Sequence, residues 1–194
     1  MRLSKRALVA TGVSIGLLGA AVAVAAGALY EYTDEELSGP EQPIQFSHKV
    51  HATKLAIECQ YCHTSVAKSQ SASIPAVSVC MGCHNYVKEG SSPGSAEEIA
   101  KLHEFYNSGK SIPWVKIHNV PEHVQFKHFR HVNAGLECQE CHGPVEEMNR
   151  VWMVPDTVLR PSSAFLPARK LEMGWCMDCH LERGGEDDCA ACHY

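Results

Sequence analysis

The sequence predicts a mostly α-helical and irregular fold, short helices and loops with little strand, preceded by one long apolar helix at the amino terminus. Three observations lead there. The pentapeptide Cys-x-x-Cys-His occurs five times and uses all ten cysteines. The run from Ala7 to Tyr30 carries no charged residue. A single clear amphipathic stretch, Ser95 to Tyr106, lies between the second and third pentapeptides.

The opening segment reads as a membrane anchor over residues 1–30. Its apolar run has twenty-four residues, and a helix of that length spans about 36 Å at 1.5 Å per residue, enough to cross a bilayer with some tilt. Arg2, Lys5 and Arg6 precede the run, and Glu31, Asp34, Glu35 and Glu36 follow it. That asymmetry predicts a single-pass protein of a bacterial cytoplasmic (inner) membrane, amino terminus cytoplasmic, with the remaining domain on the periplasmic, outer face. A cleaved secretory signal is the competing reading, since Ala21-Val22-Ala23 looks like a cleavage site, but the apolar run is longer than a usual signal core. Gly12, Gly16 and Ala20 form a small-residue stripe of the kind that lets another membrane helix approach closely. Such stripes also arise simply because these residues are common in membrane segments.

Residues 31–194 form the second domain, and the pentapeptides fix its chemistry. They are Cys59-x-x-Cys62-His63, Cys80-x-x-Cys83-His84, Cys138-x-x-Cys141-His142, Cys176-x-x-Cys179-His180 and Cys189-x-x-Cys192-His193. Two thiols two residues apart can each reach one vinyl group along a porphyrin edge, and the histidine that follows then sits beneath the iron. This is the attachment signature of c-type haem. Zinc explains it poorly, because tetrahedral sites use Cys-x-x-Cys units two at a time and five is odd. A disulfide framework needs no histidines. The expectation is five covalently bound haems c, with the domain a multihaem cytochrome c domain wrapped around them.

The spacings between motifs are sixteen, fifty-three, thirty-three and eight residues. They divide the domain into a two-haem part (31–94), a helix and linker (95–125) and a three-haem part (126–194). Eight residues cannot carry the chain far, so the last two haems are expected to be close neighbours. In the linker, Ser95 and Glu98 have the spacing of a capping box, Ile99, Leu102, His103 and Tyr106 share one face, and Asn107, Gly109 and Pro113 end the helix.

Seven histidines remain beyond the five of the motifs: His48, His51, His103, His118, His123, His128 and His131. An internal repeat singles out four, because Phe46-x-His48-x-x-His51 precedes the first motif as Phe126-x-His128-x-x-His131 precedes the third. Histidines three apart can serve two different irons. The expected distal ligands are His48, His51, His118, His128 and His131. His123 is the main rival of His118, and His103 on an apolar helical face reads as a packed histidine. Methionine is a poorer candidate: Met81 and Met177 lie inside motifs, and Met148, Met153 and Met173 read as packing residues. Irons closed on both faces by imidazole transfer electrons and do no bond chemistry. The lysine-bearing motif variant of haem nitrite reductases does not occur. The net charge of -5 gives no reason to expect nucleic-acid binding.

The stretch IPWVKIHNVPEHVQFKHFRHVNAGLECQECHGPVEEM (112–148), followed by MGWCMDCH, resembles the pentahaem cytochrome c subunit of alternative complex III, the bacterial quinol oxidoreductase. The Phe-x-His-x-x-His units are also similar to those of small class III multihaem cytochromes, in which these histidines are distal ligands. The resemblance implies an electron relay without its own quinol site. It would be partnered by an integral membrane subunit that oxidises menaquinol, an iron-sulfur subunit and a monohaem cytochrome c, with electrons leaving to a cytochrome, a copper protein or an oxygen reductase. It also favours His118, which matches that family's Trp-x-x-x-His element. A second reading is a small membrane-anchored multihaem quinol dehydrogenase that oxidises quinol itself, although such anchors usually carry a methionine just after a motif and Thr64-Ser65 stand here. A third is a free-standing electron-storage cytochrome, for which a retained membrane helix is superfluous.

Overall fold

The computed structural model describes residues 16–25, 39–153 and 171–194, and the chain divides into two units, Met1–Ser38 and Gly39–Tyr194. In the first unit, residues 16–25 form a helix, α1, with exposed side chains. The expected membrane segment lies largely outside the described residues. Among those described, no helix is long and apolar enough to cross a membrane.

The second unit is helical and irregular, as the motif density predicts. It contains a π-helical turn at Lys49–Lys54, then α2 (Cys59–Cys62), α3 (Val77–His84), α4 (Ser95–Ser108), α5 (His128–Asn133), α6 (Cys138–His142), a 3-10 turn at Val145–Glu147, α7 (Met173–Arg183) and α8 (Cys189–Cys192). Strand pairing among the described residues is confined to one antiparallel bridge between Val124 and His193.

Helix α4 is the longest described element of this unit, and it forms where the apolar spacing placed it. Ile99 and Leu102 are buried, and Leu102 joins Ile44, Met81 and Ile112 in a small core against which Val77, Phe105 and Trp114 pack. Tyr106, expected on the same face, is 46% exposed. The helix ends in a Schellman motif: Gly109 is left-handed at φ 66, its N–H donates to Tyr106 O at 3.2 Å, and Lys110 N–H donates to Phe105 O at 3.2 Å. Glycine takes that conformation without a Cβ clash.

The start of α4 corrects the sequence reading. Gly94, not Ser95, is the N-cap. Ser95 lies inside the first turn, its Oγ accepting from Gly90 N–H at 3.0 Å and donating to Gly90 O at 3.1 Å. Glu98 holds Lys101 Nζ at 2.6 Å and accepts from the Gln45 N–H at 2.8 Å. A carboxylate offered a lysine and a distant backbone donor thus ties α4 to the segment leading into the first histidine pair. The capping box that does form is in α6, where Glu137 caps the helix and Glu140 Oε1 accepts from the Glu137 N–H at 3.1 Å.

The two histidine-bearing turns are anchored by segments far away in sequence. Lys49 N–H donates to Met148 O at 3.0 Å, Thr53 Oγ1 to Glu146 O at 2.6 Å, and Ser47 Oγ to Asn149 Oδ1 at 2.9 Å. Helix α5 rests on the loop after the first motif: His128 N–H donates to Gln70 O at 3.1 Å, Phe129 N–H to Ser69 O at 3.3 Å, and Asn133 Nδ2 to Ala67 O at 3.2 Å.

Candidate haem-binding sites

Each pentapeptide forms at least one turn of helix, so its two cysteines, three apart, emerge on the same side. The turn closes on the histidine: His63 N–H donates to Cys59 O at 3.0 Å, and His193 N–H to Cys189 O at 2.9 Å. None of the ten cysteines is paired in a disulfide. Among the described residues, no three His, Cys, Asp or Glu side chains converge as a bare metal ion would require.

The repeat preceding the first and third motifs is as regular in space as in sequence. Phe46 stacks on His51 with centroids 4.4 Å apart and meets His48 edge-on at 4.9 Å. Phe126 stacks on His131 at 4.5 Å and meets His128 edge-on at 4.8 Å. Each phenyl ring therefore sets two imidazoles at a large angle to one another, which points them toward different partners. In the first unit of the repeat the backbone is π-helical, a widened turn that recurs at functional sites.

Hydrogen bonding fixes which ring nitrogen is available. Nδ1 contacts a backbone carbonyl in His51 (Ser47 O, 2.8 Å), His63 (Ser73 O, 2.8 Å), His84 (Val87 O, 3.0 Å), His128 (Gln70 O, 2.9 Å), His131 (Lys127 O, 3.1 Å) and His180 (Glu186 O, 2.5 Å). A carbonyl can only accept, so Nδ1 carries the proton and Nε2 keeps its lone pair, as a metal-ligating imidazole needs. His103 is the reverse case. Its Nε2 is engaged, 2.9 Å from His84 O and 3.0 Å from Lys88 Nζ. It packs beside α3, in line with the sequence reading. For His48, whose Nδ1 is buried without a hydrogen bond, burial first and then the neighbouring His63 and His51 together push the imidazole pKa down to about 4. It is neutral at neutral pH, the state a ligand requires.

The imidazole rings come together in pairs. An imidazole nitrogen binds a metal at about 2 Å, so two imidazoles on opposite sides of one metal have ring centroids about 6 Å apart. The structure sets His51 and His84 at 6.2 Å, His128 and His142 at 6.3 Å, and His131 and His180 at 6.0 Å. His48 lies near enough to His63 for the two imidazoles to influence each other electrostatically. The donor set and its spacing fit haem iron held between two imidazoles.

At the last motif it is His123, the rival of His118, that lies against His193, with rings stacked at 5.5 Å. The backbone holds it there: Val124 bridges His193, Gln125 N–H donates to Cys192 O at 2.8 Å, and Tyr194 N–H donates to His123 O at 3.4 Å. His118 lies edge-on against His142 at 4.5 Å, too close for a metal between the two rings. The local Trp114-x-x-x-His118 pattern favours His118, whereas the contacts that set His123 against His193 come from residues 192–194, which the local sequence does not show.

Residues 124–194 match the family described as cytochrome c7 and related cytochrome c, a span that holds the third, fourth and fifth motifs. Over 105 residues the chain is 38% identical to the menaquinone reductase, multihaem cytochrome c subunit of Nitratidesulfovibrio vulgaris, an alignment covering 54% of this chain and 47% of the relative. The chain thus spans about half the length of the curated relative it matches. Motif and match agree that residues 124–194 are similar to a cytochrome c7-like multihaem region, helical and irregular in its described residues, whose cofactor is covalently bound haem c.

Proposed function

We propose that this chain is the electron-relay subunit of a membrane quinone/quinol oxidoreductase, carrying five haems c, each held between two histidines. The histidines that would hold the irons pair as His63 with His48, His84 with His51, His142 with His128, His180 with His131, and His193 with His123. The spacing of the opposed imidazoles carries this reading, since 6.0 to 6.3 Å in three pairs is what trans ligation of one metal demands. When bound, haem iron supplies a reversible one-electron change. The protein's own part would be to fill the iron's remaining ligand positions with imidazole, so that no site is left for a substrate, and to hold His51, His63, His84, His128, His131 and His180 in one tautomer through a backbone carbonyl.

The relative named a menaquinone reductase subunit supports a place beside a quinone-active partner. The resemblance of 112–148 to the pentahaem subunit of alternative complex III suggests menaquinol oxidation. The direction of flow would be set by the partners' potentials, because closed two-histidine centres pass electrons either way. The proposed partners are an integral membrane quinone-binding subunit, an iron-sulfur subunit and a monohaem cytochrome c. The proposed location is the outer face of a bacterial cytoplasmic membrane, tethered by 1–30, which rests on Arg2, Lys5 and Arg6 before an uncharged run.

Quantifying iron and haem against protein tests the reading. Five irons per chain, low-spin ferric spectra throughout, and a ferrous form that does not bind carbon monoxide are expected. Zinc in place of iron, or a substantial high-spin fraction, would overturn it. The isolated chain should be reduced by a menaquinol analogue only when a quinone-active partner is added. Robust turnover by the chain alone would favour the quinol dehydrogenase reading.

A further inference from the structure

The order of the motifs in space differs from their order in sequence. Cys59 of the first motif lies within hydrogen-bonding reach of Cys138 of the third, two residues separated by most of the two-haem part and the whole linker. On the first motif's other side, Cys62 neighbours Cys80 and Cys83 of the second. The first motif therefore has a motif on each side.

Three further links extend the series. The π-helical turn carries His48 toward His63 and His51 toward His84, which joins the first two motifs through one short element. Helix α5 does the same for the third and fourth, with His128 facing His142 and His131 facing His180, and Arg183 Nη2 pairs with Glu140 Oε2 at 2.5 Å across the same junction. Cys176 of the fourth motif neighbours Cys192 of the fifth. The loop after the first motif, 67–70, supplies the carbonyls on which α5 rests, a second tie from the first motif to the third and fourth.

We infer that the five attachment sites form one unbranched series in the spatial order second, first, third, fourth, fifth, with the first motif as an interior link and the second and fifth as the two ends. The inference rests on the five-haem relay reading and adds to it where partners must dock. A reduced one-electron carrier gives up an electron at one end, and an oxidised one-electron carrier takes the same electron at the other. Each end carries a strongly exposed tyrosine, Tyr86 at 87% beside the second motif and Tyr194 at 83% beside the fifth, against 57% for Tyr61 within the first. The rival link joins the second motif directly to the third through Trp114–His118, which runs from the core near Met81 to the His142 ring. That segment puts protein side chains between the two motifs where the first motif brings thiol to thiol.

An experimental structure of the haem-loaded full chain, with irons located by anomalous scattering, tests the order directly. The four shortest iron–iron distances should join second to first, first to third, third to fourth and fourth to fifth. A second-to-third distance shorter than first-to-third would overturn it. An independent readout is the His48→Met variant, since methionine ligation raises the potential of the first centre and allows it to be reduced alone. Electron paramagnetic resonance should then show two other ferric signals losing dipolar broadening. Loss at a single signal would make the first motif an end and sink the inference. Fewer than five irons, or open irons, would instead refute the relay reading on which the order depends.

Discussion

His51 and His103 differ in which ring nitrogen is occupied, and that difference separates a ligand from a packing residue. His51 gives Nδ1 to Ser47 O and keeps Nε2 free, whereas His103 spends Nε2 on His84 O and Lys88. The same logic makes the final pair testable. His123→Ala is expected to convert one haem's worth of low-spin signal to high-spin, and His118→Ala to leave the low-spin count unchanged, as read by low-temperature electron paramagnetic resonance. The opposite pattern would return the role to His118. A second residue-scale expectation concerns Gly185, whose N–H donates to His180 O at 2.7 Å while Glu186 O reaches back to His180 Nδ1. A Cβ at Gly185 would lie 2.9 Å from His180 Cγ. Gly185→Ala should therefore tilt the imidazole and weaken its carbonyl contact, shifting the potential of one centre in a redox titration and leaving the other four in place. At this scale the sequence was legible for covalent chemistry and opaque for pairing. Cys59 to His63 declare themselves in five letters, but what faces His193 depends on a contact made from across the chain.

At the scale of elements, α4 shows how periodicity and capping carry different kinds of information. Ile99 and Leu102 fall on the buried face because burial follows the helical period. The Ser95–Glu98 pattern misled because a side-chain cap competes with every other donor the fold supplies, and here the Gln45 N–H and Lys101 Nζ won. Burial pushes the Glu98 carboxyl up, but hydrogen bonds from Lys101 and Gln45 outweigh it and hold the group below its ordinary value. A carboxylate lowered on folding stabilises the native state above its ordinary titration range, and that contribution is lost as pH falls through the lowered value. Glu98→Gln should cost about 1 kcal/mol, since it weakens hydrogen bonds to a charged acceptor at a partly exposed site. Denaturant melts of the haem-loaded protein should show the difference near neutral pH and its disappearance in acid. A difference that survives at low pH would mean the carboxylate charge is not what Gln45 needs. The repeated Phe-x-His-x-x-His turn was legible for the opposite reason. Its three ring positions are local, so Phe46 with His48 and His51 reproduces the geometry of Phe126 with His128 and His131 without help from distant contacts.

For the second unit as a whole, the buried apolar residues are few: Ile44, Val66, Met81, Ile99, Leu102, Ile112 and Met148 among the described residues, with no side chain fully buried. Burying that many side chains falls far short of the entropy cost of ordering a chain this long. The haems themselves must then supply much of the interior. This dependence is uneven along the series. The second motif sits in the one clustered core, where Met81 is 2% exposed and Cys80 packs against Ile44, Leu102 and Ile112. The fifth motif lies at the chain end on a four-residue helix with no buried residue. Replacing Cys80 and Cys83 by Ser should therefore abolish cooperative unfolding of this unit, while replacing Cys189 and Cys192 by Ser should remove one haem and leave a folded domain. Differential scanning calorimetry with haem quantification separates the two outcomes. If both double variants melt alike, the core around α3 and α4 does not organise the unit, and the haems act as equivalent and independent supports.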